Sequence, residues 1–388
     1  MKSNNNASTP STRNNITLII IILLFTIILP SPIVIYGFQI IFLGLFSSVL
    51  FISYGYISVR NLFLTLLVIT IILLWSFIQT NYLLYQELLW PQTIRVCFWI
   101  FCTFLLYKKI NSFNEATFIK SLKLTILILS FSIITQFVLY YFFNYKLDYS
   151  VLLGGLESRT SYSSSIYRAS GLTAEPSIIS GIIVALMTLY FFFIKKFDTI
   201  FFVGSISCCF TLSTLGIFLV TIFLFIAFFK RQNILLLLLL TIPFVLFVLP
   251  EFLERYLIFK SGNDSSNNIK LIIVENLINN EHLLYLGYGF TGKSISAPTF
   301  YEALYDLTFF GSLIVLFGLP LGLLLSFTMV AIILNLSFNI KEKILIFLCL
   351  IKISSPTFIF FNLFILLVFI ISHKRKNLTY EKNHIYNN

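Results

Sequence analysis

The residues best suited to chemistry lie in two polar segments of an otherwise apolar chain. The first segment, residues 144–175, ends in Tyr-Arg-Ala-Ser-Gly-Leu-Thr-Ala-Glu-Pro-Ser, which runs from Tyr167 to Ser177. A proline after polar residues is typical of a helix start, so Glu175 should stand at a helix N-terminus, where free backbone N–H groups favour anions. Arg168 could bind phosphate oxygens there through paired donors. Alternatively, Arg168 pairs with Glu175 or with lipid headgroups and only fixes the loop.

The second segment, residues 251–306, contains Arg255 and Lys270 and closes with Glu302 and Asp306. These two acids are four residues apart, so on a helix they would share one face. Such a carboxylate pair could supply a general base and a group that orients it. Equally, the pair could be a solvated helix start, where acidic residues interact favourably with the helix dipole.

Two further cations lie inside apolar runs. Arg95 is close to the start of one run, and Lys352 lies within another. Ionisable groups at membrane depth are costly unless paired, so they are candidates for function. Arg95 is also near enough to the end of its run to reach the membrane surface. The argument for Lys352 is the weaker of the two.

The composition places these residues on a membrane protein. The chain has 388 residues, of which 58% are hydrophobic and only 11% charged. Apolar runs without period-two alternation predict membrane-spanning helices rather than barrel strands. The runs lie near residues 16–31, 33–58, 61–79, 92–107, 122–143, 176–194, 199–212, 214–229, 233–250, 307–336, 343–355 and 357–372.

Two long stretches are divided in this prediction. The apolar stretch from Thr199 to Phe229 is bracketed by basic residues at both ends, so we expect a hairpin with its break at Ser213. The stretch from Lys343 to Ser372 is expected to break at the Ser-Ser-Pro sequence that ends at Pro356. The result is an all-α integral membrane protein with about twelve transmembrane helices.

The distribution of basic residues gives the orientation. With the N-terminus inside, the inner side holds 17 of the 26 Lys and Arg residues but only 4 of the 15 acidic ones. A basic excess of this kind marks the cytoplasmic side. The basic residues concerned are Lys2, Arg13, Arg60, Lys108, Lys109, Lys120, Lys123, Lys195, Lys196, Lys230, Arg231, Lys341, Lys343, Lys374, Arg375, Lys376 and Lys382.

This topology makes residues 1–388 a single polytopic domain with both termini cytoplasmic. Residues 144–175 and 251–306 become two large extracytoplasmic loops. The net charge of +11 is explained by topology and does not call for nucleic acid as a partner. The five cysteines and three histidines have no metal-ligand spacing, so no metal or other cofactor is expected.

The layout and short motifs resemble the O-antigen polymerase (Wzy) family, which is related to capsule polymerases and O-antigen ligases. The resemblance rests first on Arg-x-x-Gly-x-x-x-Glu-Pro-Ser, residues 168–177. It rests further on the Gly-Tyr-Gly at 287–289, the closing Tyr-Glu-Ala-Leu-Tyr-Asp at 301–306, and the Thr-Leu-Ser-Thr-Leu-Gly at 211–216. In the last of these, Thr214 stands where the family has Arg.

The resemblance implies a metal-independent glycosyltransferase of the bacterial inner membrane. It would transfer a polyprenyl-diphosphate-linked oligosaccharide to the next lipid-linked repeat unit, with membrane lipid and a chain-length regulator protein as further partners. Arg168 matches the family's first-loop arginine. Arg159, Arg95, Lys270 and Arg255 are further candidates for binding diphosphate, and Lys270 stands near where the family has an Arg.

The general base is left open by the resemblance. Many relatives, ligases above all, have His-Asn before the tenth span, whereas this chain has Tyr301 and Glu302 there. We therefore rank Glu302 first as the base, with Glu175 and Asp306 as the other candidates. The missing His argues against an O-antigen ligase. A lipid-linked sugar flippase or another secondary transporter is the alternative from a different class, although no internal repeat is visible.

Overall fold

The computed structural model describes residues 10–28, 58–152, 157–159, 161–163, 166–229 and 265–386, together with residues 250, 253 and 257. Its α-helices are α1 (Pro10–Ile28), α2 (Val59–Thr80), α3 (Leu89–Asn111), α4 (Glu115–Phe143), α5 (Tyr149–Leu152), α6 (Pro176–Phe193), α7 (Thr199–Phe210), α8 (Thr214–Phe228), α9 (Ser265–Asn279), α10 (Glu281–Leu286), α11 (Phe309–Asn335), α12 (Ile340–Cys349) and α13 (Ile359–Tyr386). Strands β1 (Ser161–Ser163) and β2 (Ile166–Tyr167) form an antiparallel ribbon, and Thr299–Ala303 is a 3-10 turn.

Several of these helices suit a bilayer. Within the described ranges, five are long and apolar enough to cross a membrane: α2, α3, α4, α6 and α11. Helix α2 exposes Phe63, Leu64 and Leu74, which suits a lipid-facing surface. The structure therefore supports an all-α membrane protein. The count of twelve crossings stays a prediction, because the predicted spans 33–58 and 233–250 lie almost entirely outside the described residues.

Helix α6 is the centre of the apolar core. Almost every side chain from Pro176 to Phe192 is buried, and the helix packs against α4, α7, α8 and α12. Small residues allow this close packing, since Gly181 lies against the Lys352 side chain and Ser180 lies against Gly216 of α8. Because α6 is buried on all sides, it holds the residues at its two ends in fixed positions.

The predicted hairpin at Ser213 is confirmed. Helices α7 and α8 are separate, and the Ser213 side chain caps α8 by accepting the N–H of Gly216. Phe201 near the start of α7 lies 4.9 Å (ring centroids) from Phe228 at the end of α8, so the two helices run antiparallel. The predicted break before Pro356 is also confirmed, because α12 ends at Cys349 and α13 begins at Ile359.

The run 307–336, predicted as one unbroken span, contains a break that the sequence analysis missed. Gly318 has φ of 79° and ψ of 168°, which is not helical, and Pro320 follows. The second polar segment fills the gap: Tyr288 and Gly289 donate backbone N–H groups to the carbonyls of residues 315 and 316. The Gln79 side chain also donates to the Leu316 carbonyl, at 2.8 Å. The carbonyls that the break releases therefore keep partners.

The end of α6 opposite Glu175 is held by a second set of charges. Glu342, whose side chain is 1% exposed, pairs with Lys195 and with Arg375 at 2.8 Å. Glu342 also completes a capping box with Asn339 at the start of α12. Further along, the backbone N–H of Ser337 donates to Ser372 of α13 at 2.8 Å. Helix α13 therefore returns to the end at which α12 begins.

Candidate active site

The first polar segment is anchored on helix α4. The Gln136 side chain accepts backbone N–H groups from Ser170 at 3.0 Å and from Gly171 at 2.7 Å. Gly171 has φ of 57°, and a Cβ at this position would lie 2.9 Å from Ile133 Cγ1. Glycine is therefore required at this turn, for its backbone conformation and for the close approach to α4.

Asp148 fixes the earlier part of the same segment. Its carboxylate accepts the Ser158 hydroxyl at 2.7 Å and the Ser158 N–H at 2.8 Å. Although burial raises the pKa of Asp148, these hydrogen bonds and others from nearby backbone lower the pKa below its usual value. The next residue, Arg159, donates its N–H to the Ala174 carbonyl at 2.9 Å. Arg159 is thereby fixed beside Glu175.

Glu175 stands where the sequence predicts, immediately before α6. Its backbone is extended, and Pro176 occupies the first helical turn. The Ser177 hydroxyl donates to Glu175 Oε1, and the Lys352 ammonium lies 3.8 Å from the same oxygen. Within the described residues, Glu175 Oε2 makes no hydrogen bond, so this oxygen remains available to another group.

Lys352 links both polar segments. It comes from the turn between α12 and α13, and its side chain is 13% exposed. The aliphatic stem packs on α6, since a Cβ built on Gly181 would lie 2.8 Å from Lys352 Cγ. The Lys352 ammonium is 3.3 Å from Asp306 Oδ1 as well as close to Glu175. One ammonium therefore serves a carboxylate from each segment.

Asp306 is held ionised by several cations. Burial raises its pKa, but the charges of Lys352 and Lys270, the hydrogen bond from Lys352 and the charge of Arg159 together lower the pKa of Asp306 below its usual value. Lys270 belongs to α9 and is half-buried. Among the described residues, Asp306 also keeps one carboxylate oxygen, Oδ2, without a hydrogen bond.

The predicted shared helical face of Glu302 and Asp306 is wrong. The 3-10 turn ends at Ala303, and α11 begins only at Phe309 with Thr308 as its N-cap. The two carboxylates consequently have different partners. Glu302 Oε1 accepts from Arg159, and Glu302 Oε2 accepts from Lys293 at 2.9 Å. The hydrogen bond from Lys293, followed by that from Arg159, lowers the pKa of Glu302 despite partial burial.

These contacts define the charged cluster: Arg159, Glu175, Lys270, Lys293, Glu302, Asp306 and Lys352. It draws on the first polar segment, the second polar segment and the turn after α12. The sequence analysis missed Lys293, which has no motif around it, and gave little weight to Lys352. The signal for Lys352 was present, as a cation inside an apolar run.

The other predicted cations are placed less centrally. Arg168 follows β2, is half-buried, and has a buried Nε atom. Arg95 lies in the second turn of α3, where it donates to Gln92. The Arg95 charge also reaches Tyr305, whose pKa is raised by burial and only partly lowered by Arg95. Arg255 lies outside the described residues.

The second polar segment is itself folded around a small apolar core. Ile273, Leu277, Tyr288, Tyr301 and Leu304 are buried together with Val315 of α11. Tyr288 and Tyr301 meet edge to face, with ring centroids 5.4 Å apart. Because α9 and α10 pack on α11 and the 3-10 turn packs on α9, the segment is a fixed structure that positions Lys270, Glu302 and Asp306.

The part of the chain that the structure describes contains no group of three or more His, Cys, Asp and Glu side chains able to hold a metal ion. The side chains of the charged cluster can stabilise negative charge through Lys and Arg and can accept a proton through their carboxylates. In comparisons with known proteins, no family model matches the chain, and neither a curated protein nor a solved structure is significantly similar to it.

Proposed function

We propose that the chain is a polymerase of lipid-linked oligosaccharide repeat units, of the O-antigen or capsule type, in the bacterial inner membrane. It transfers a glycan from polyprenyl diphosphate to the next repeat unit at the outer face, with both termini in the cytoplasm. The observation that carries the proposal is the charged cluster, in which Arg159 contacts Glu302 and Lys352 contacts both Glu175 and Asp306. Two polar segments far apart in sequence meet there, at the start of the buried helix α6.

The charges of the cluster suit this transfer. The acceptor hydroxyl attacks the anomeric carbon, a new glycosidic C–O bond forms, and the bond to the diphosphate breaks. The departing diphosphate takes the electron pair and needs cations. Arg159, Lys270 and Lys293 of the cluster supply them, together with Arg168 from outside the cluster. The diphosphate is already anionic and requires no general acid. The proton of the acceptor hydroxyl goes to a carboxylate.

The contacts favour Glu175 over Glu302 as that carboxylate. Both oxygens of Glu302 are engaged by cations, Arg159 and Lys293. Glu175 and Asp306 each use only one oxygen within the described residues. Glu175 is also fixed by its place immediately before the buried helix α6. We therefore propose Glu175 as the base, Asp306 as its neighbouring carboxylate, and Glu302 as a contact between the two polar segments.

A strain that lacks this gene tests the proposal. Complementation with the wild type should restore long surface glycan, while Arg168→Ala should leave only single repeat units at a normal protein level. Arg168→Lys should rescue poorly, because Lys keeps the charge but loses the paired donor geometry. The measurement is the chain-length distribution on a gel, with membrane abundance determined by immunoblot.

Three outcomes would contradict parts of this account. Full-length glycan in the deletion strain would show that this protein is not the polymerase. Full-length glycan from Arg168→Ala at normal abundance would restrict Arg168 to fixing its loop. If the deletion strain still forms long chains but does not attach them to the outer-membrane lipid, the missing protein is an O-antigen ligase.

A further inference from the structure

Lys352 belongs to neither polar segment, yet its ammonium contacts a carboxylate from each. We infer that Lys352 is a positioning residue, which holds Glu175 and Asp306 close together so that the two segments act as one site. This inference deepens the proposed function and rests on it. It assigns a role to the turn between α12 and α13, which the motifs of the sequence do not touch.

The geometry favours an electrostatic role. The Lys352 stem is fixed against Gly181 of α6, so its ammonium has few other positions. Its side chain is 13% exposed, whereas those of Glu175 and Asp306 are 27% and 39% exposed. A weakly hydrated cation between two carboxylates interacts with them more strongly than a surface ion pair does. A water molecule at the position of the Lys352 ammonium would stabilise the two carboxylates much less.

The other charges around the two carboxylates do not substitute for Lys352. Lys270 of α9 and Arg159 of the first polar segment act on Asp306. Glu302 and Lys293 lie beyond Arg159, and Arg159 itself is engaged by Glu302. The Ser177 hydroxyl contacts Glu175 without charge. Among the described residues, Lys352 is the cation that contacts both carboxylates.

Removing the ammonium should therefore make the reaction depend on pH. Without Lys352, two like charges lie close together, and one carboxylate retains a proton to a higher pH than in the wild type. The pKa of the pair is raised, so the ionised form is lost as pH falls through the raised value. Polymer formation by Lys352→Met should then fall up to about tenfold per pH unit on the acid side and recover as pH rises.

The test uses right-side-out membrane vesicles from the deletion strain, which hold its own lipid-linked repeat units. The variants are wild type, Lys352→Met, Lys352→Arg and, as a matched control, Lys341→Met on the exposed surface of α12. Chain length is measured between about pH 6 and pH 8, a range that lies above the ordinary pKa values of carboxyl groups. We expect only Lys352→Met to lose polymer toward acid pH, and Lys352→Arg to follow the wild type.

A loss of equal size at every pH, or no loss, would overturn the inference while the wild type still polymerises. An inactive wild type would instead be a failure of the proposed function. Thermal unfolding of the purified proteins judges the charge pairing without any glycan. Repulsion between the unpaired carboxylates grows with pH, so the midpoint of Lys352→Met should fall further below the wild type as pH rises. A difference that is constant with pH would also overturn the inference.

Discussion

At the scale of single residues, the carboxylates differ in how they are engaged. Glu302 gives both oxygens to cations, whereas Glu175 and Asp306 share one ammonium and keep one oxygen each among the described contacts. A base needs an oxygen that can accept a proton from the substrate. This difference favours Glu175 over the residue ranked first from the sequence. That ranking depended on the position of Glu302 in the sequence, where many relatives have His-Asn.

Three substitutions compared in parallel test this assignment. Glu175→Gln should reduce polymer formation by roughly 10²–10⁴-fold at unchanged abundance, the range expected for loss of a general base. Asp306→Asn should also impair the reaction, because Lys352 loses its ion pair with Asp306 and positions Glu175 less well. Glu302→Gln should have a small effect, since exposed ion pairs contribute about 0–1 kcal/mol.

The readout is the chain-length ladder normalised to the amount of protein in the membrane. If Glu302→Gln abolishes polymer while Glu175→Gln retains it, the base belongs to the second polar segment, as the sequence alone indicated. Equal, slight losses in all three variants would mean that none of these carboxylates accepts the proton.

At the scale of elements, the broken helix α11 is the main feature that sequence reasoning missed. The signal was the Gly-Leu-Pro at residues 318–320, inside a run as long as the one that was divided at Ser213. Hydrophobic periodicity could not show which segment packs against the break in α11. Gly287 and Gly318 approach so closely that a Cβ on Gly318 would lie 2.2 Å from the Tyr285 carbonyl oxygen. Contacts between segments far apart in sequence leave no local pattern.

Alanine at either of these glycines should destabilise the protein. Both residues have positive φ, 76° for Gly287 and 79° for Gly318, and this strain alone costs about 1–3 kcal/mol. The Cβ would in addition strike backbone atoms. Lower thermal midpoints and reduced abundance are expected for Gly287→Ala and Gly318→Ala.

Gly292→Ala is the matched control in the same polar segment, because its added Cβ would meet its nearest atoms at 3.7 Å, an ordinary contact. A wild-type midpoint for Gly318→Ala would show that the break in α11 is not maintained in the native protein.

Other elements were predictable in detail. Pro176 marked the start of α6 and Pro356 marked the turn before α13, because proline acts through local backbone chemistry. The division of α7 from α8 was predicted from the basic residues at both ends of that stretch, and in the structure Ser213 caps α8 there. The members of the charged cluster other than Lys293 were predictable from the sequence, but the way in which they pair was not. Arg159 meets Glu302 across 143 positions of sequence, and only the tertiary fold brings them together.

At the scale of the whole molecule, the two ends of α6 carry different charges. The start has the charged cluster, and the other end has Glu342 with Lys195 and Arg375. Under the proposed topology, the first set faces the outside and the second faces the cytoplasm. Basic residues concentrate at the second end, as expected for the cytoplasmic side.

Single cysteines test this orientation. Leu152→Cys and Ile295→Cys, at exposed positions of the two polar segments, should react with an impermeant maleimide in intact spheroplasts. Lys196→Cys and Lys341→Cys, both exposed near the opposite end, should react only after lysis. The wild type, with its own five cysteines, is the background control. Labelling of Lys341→Cys in intact spheroplasts would show that the protein has the opposite orientation to the one proposed.

Reconstitution tests the central claim most directly. Lipid-linked single repeat units extracted from the deletion strain are mixed with the purified protein in proteoliposomes, without nucleotide sugar. The account predicts a ladder of longer glycans together with released polyprenyl diphosphate, and neither product from Arg168→Ala. Repeat units that remain single would contradict it, and single units that only move from one leaflet to the other would identify a flippase instead.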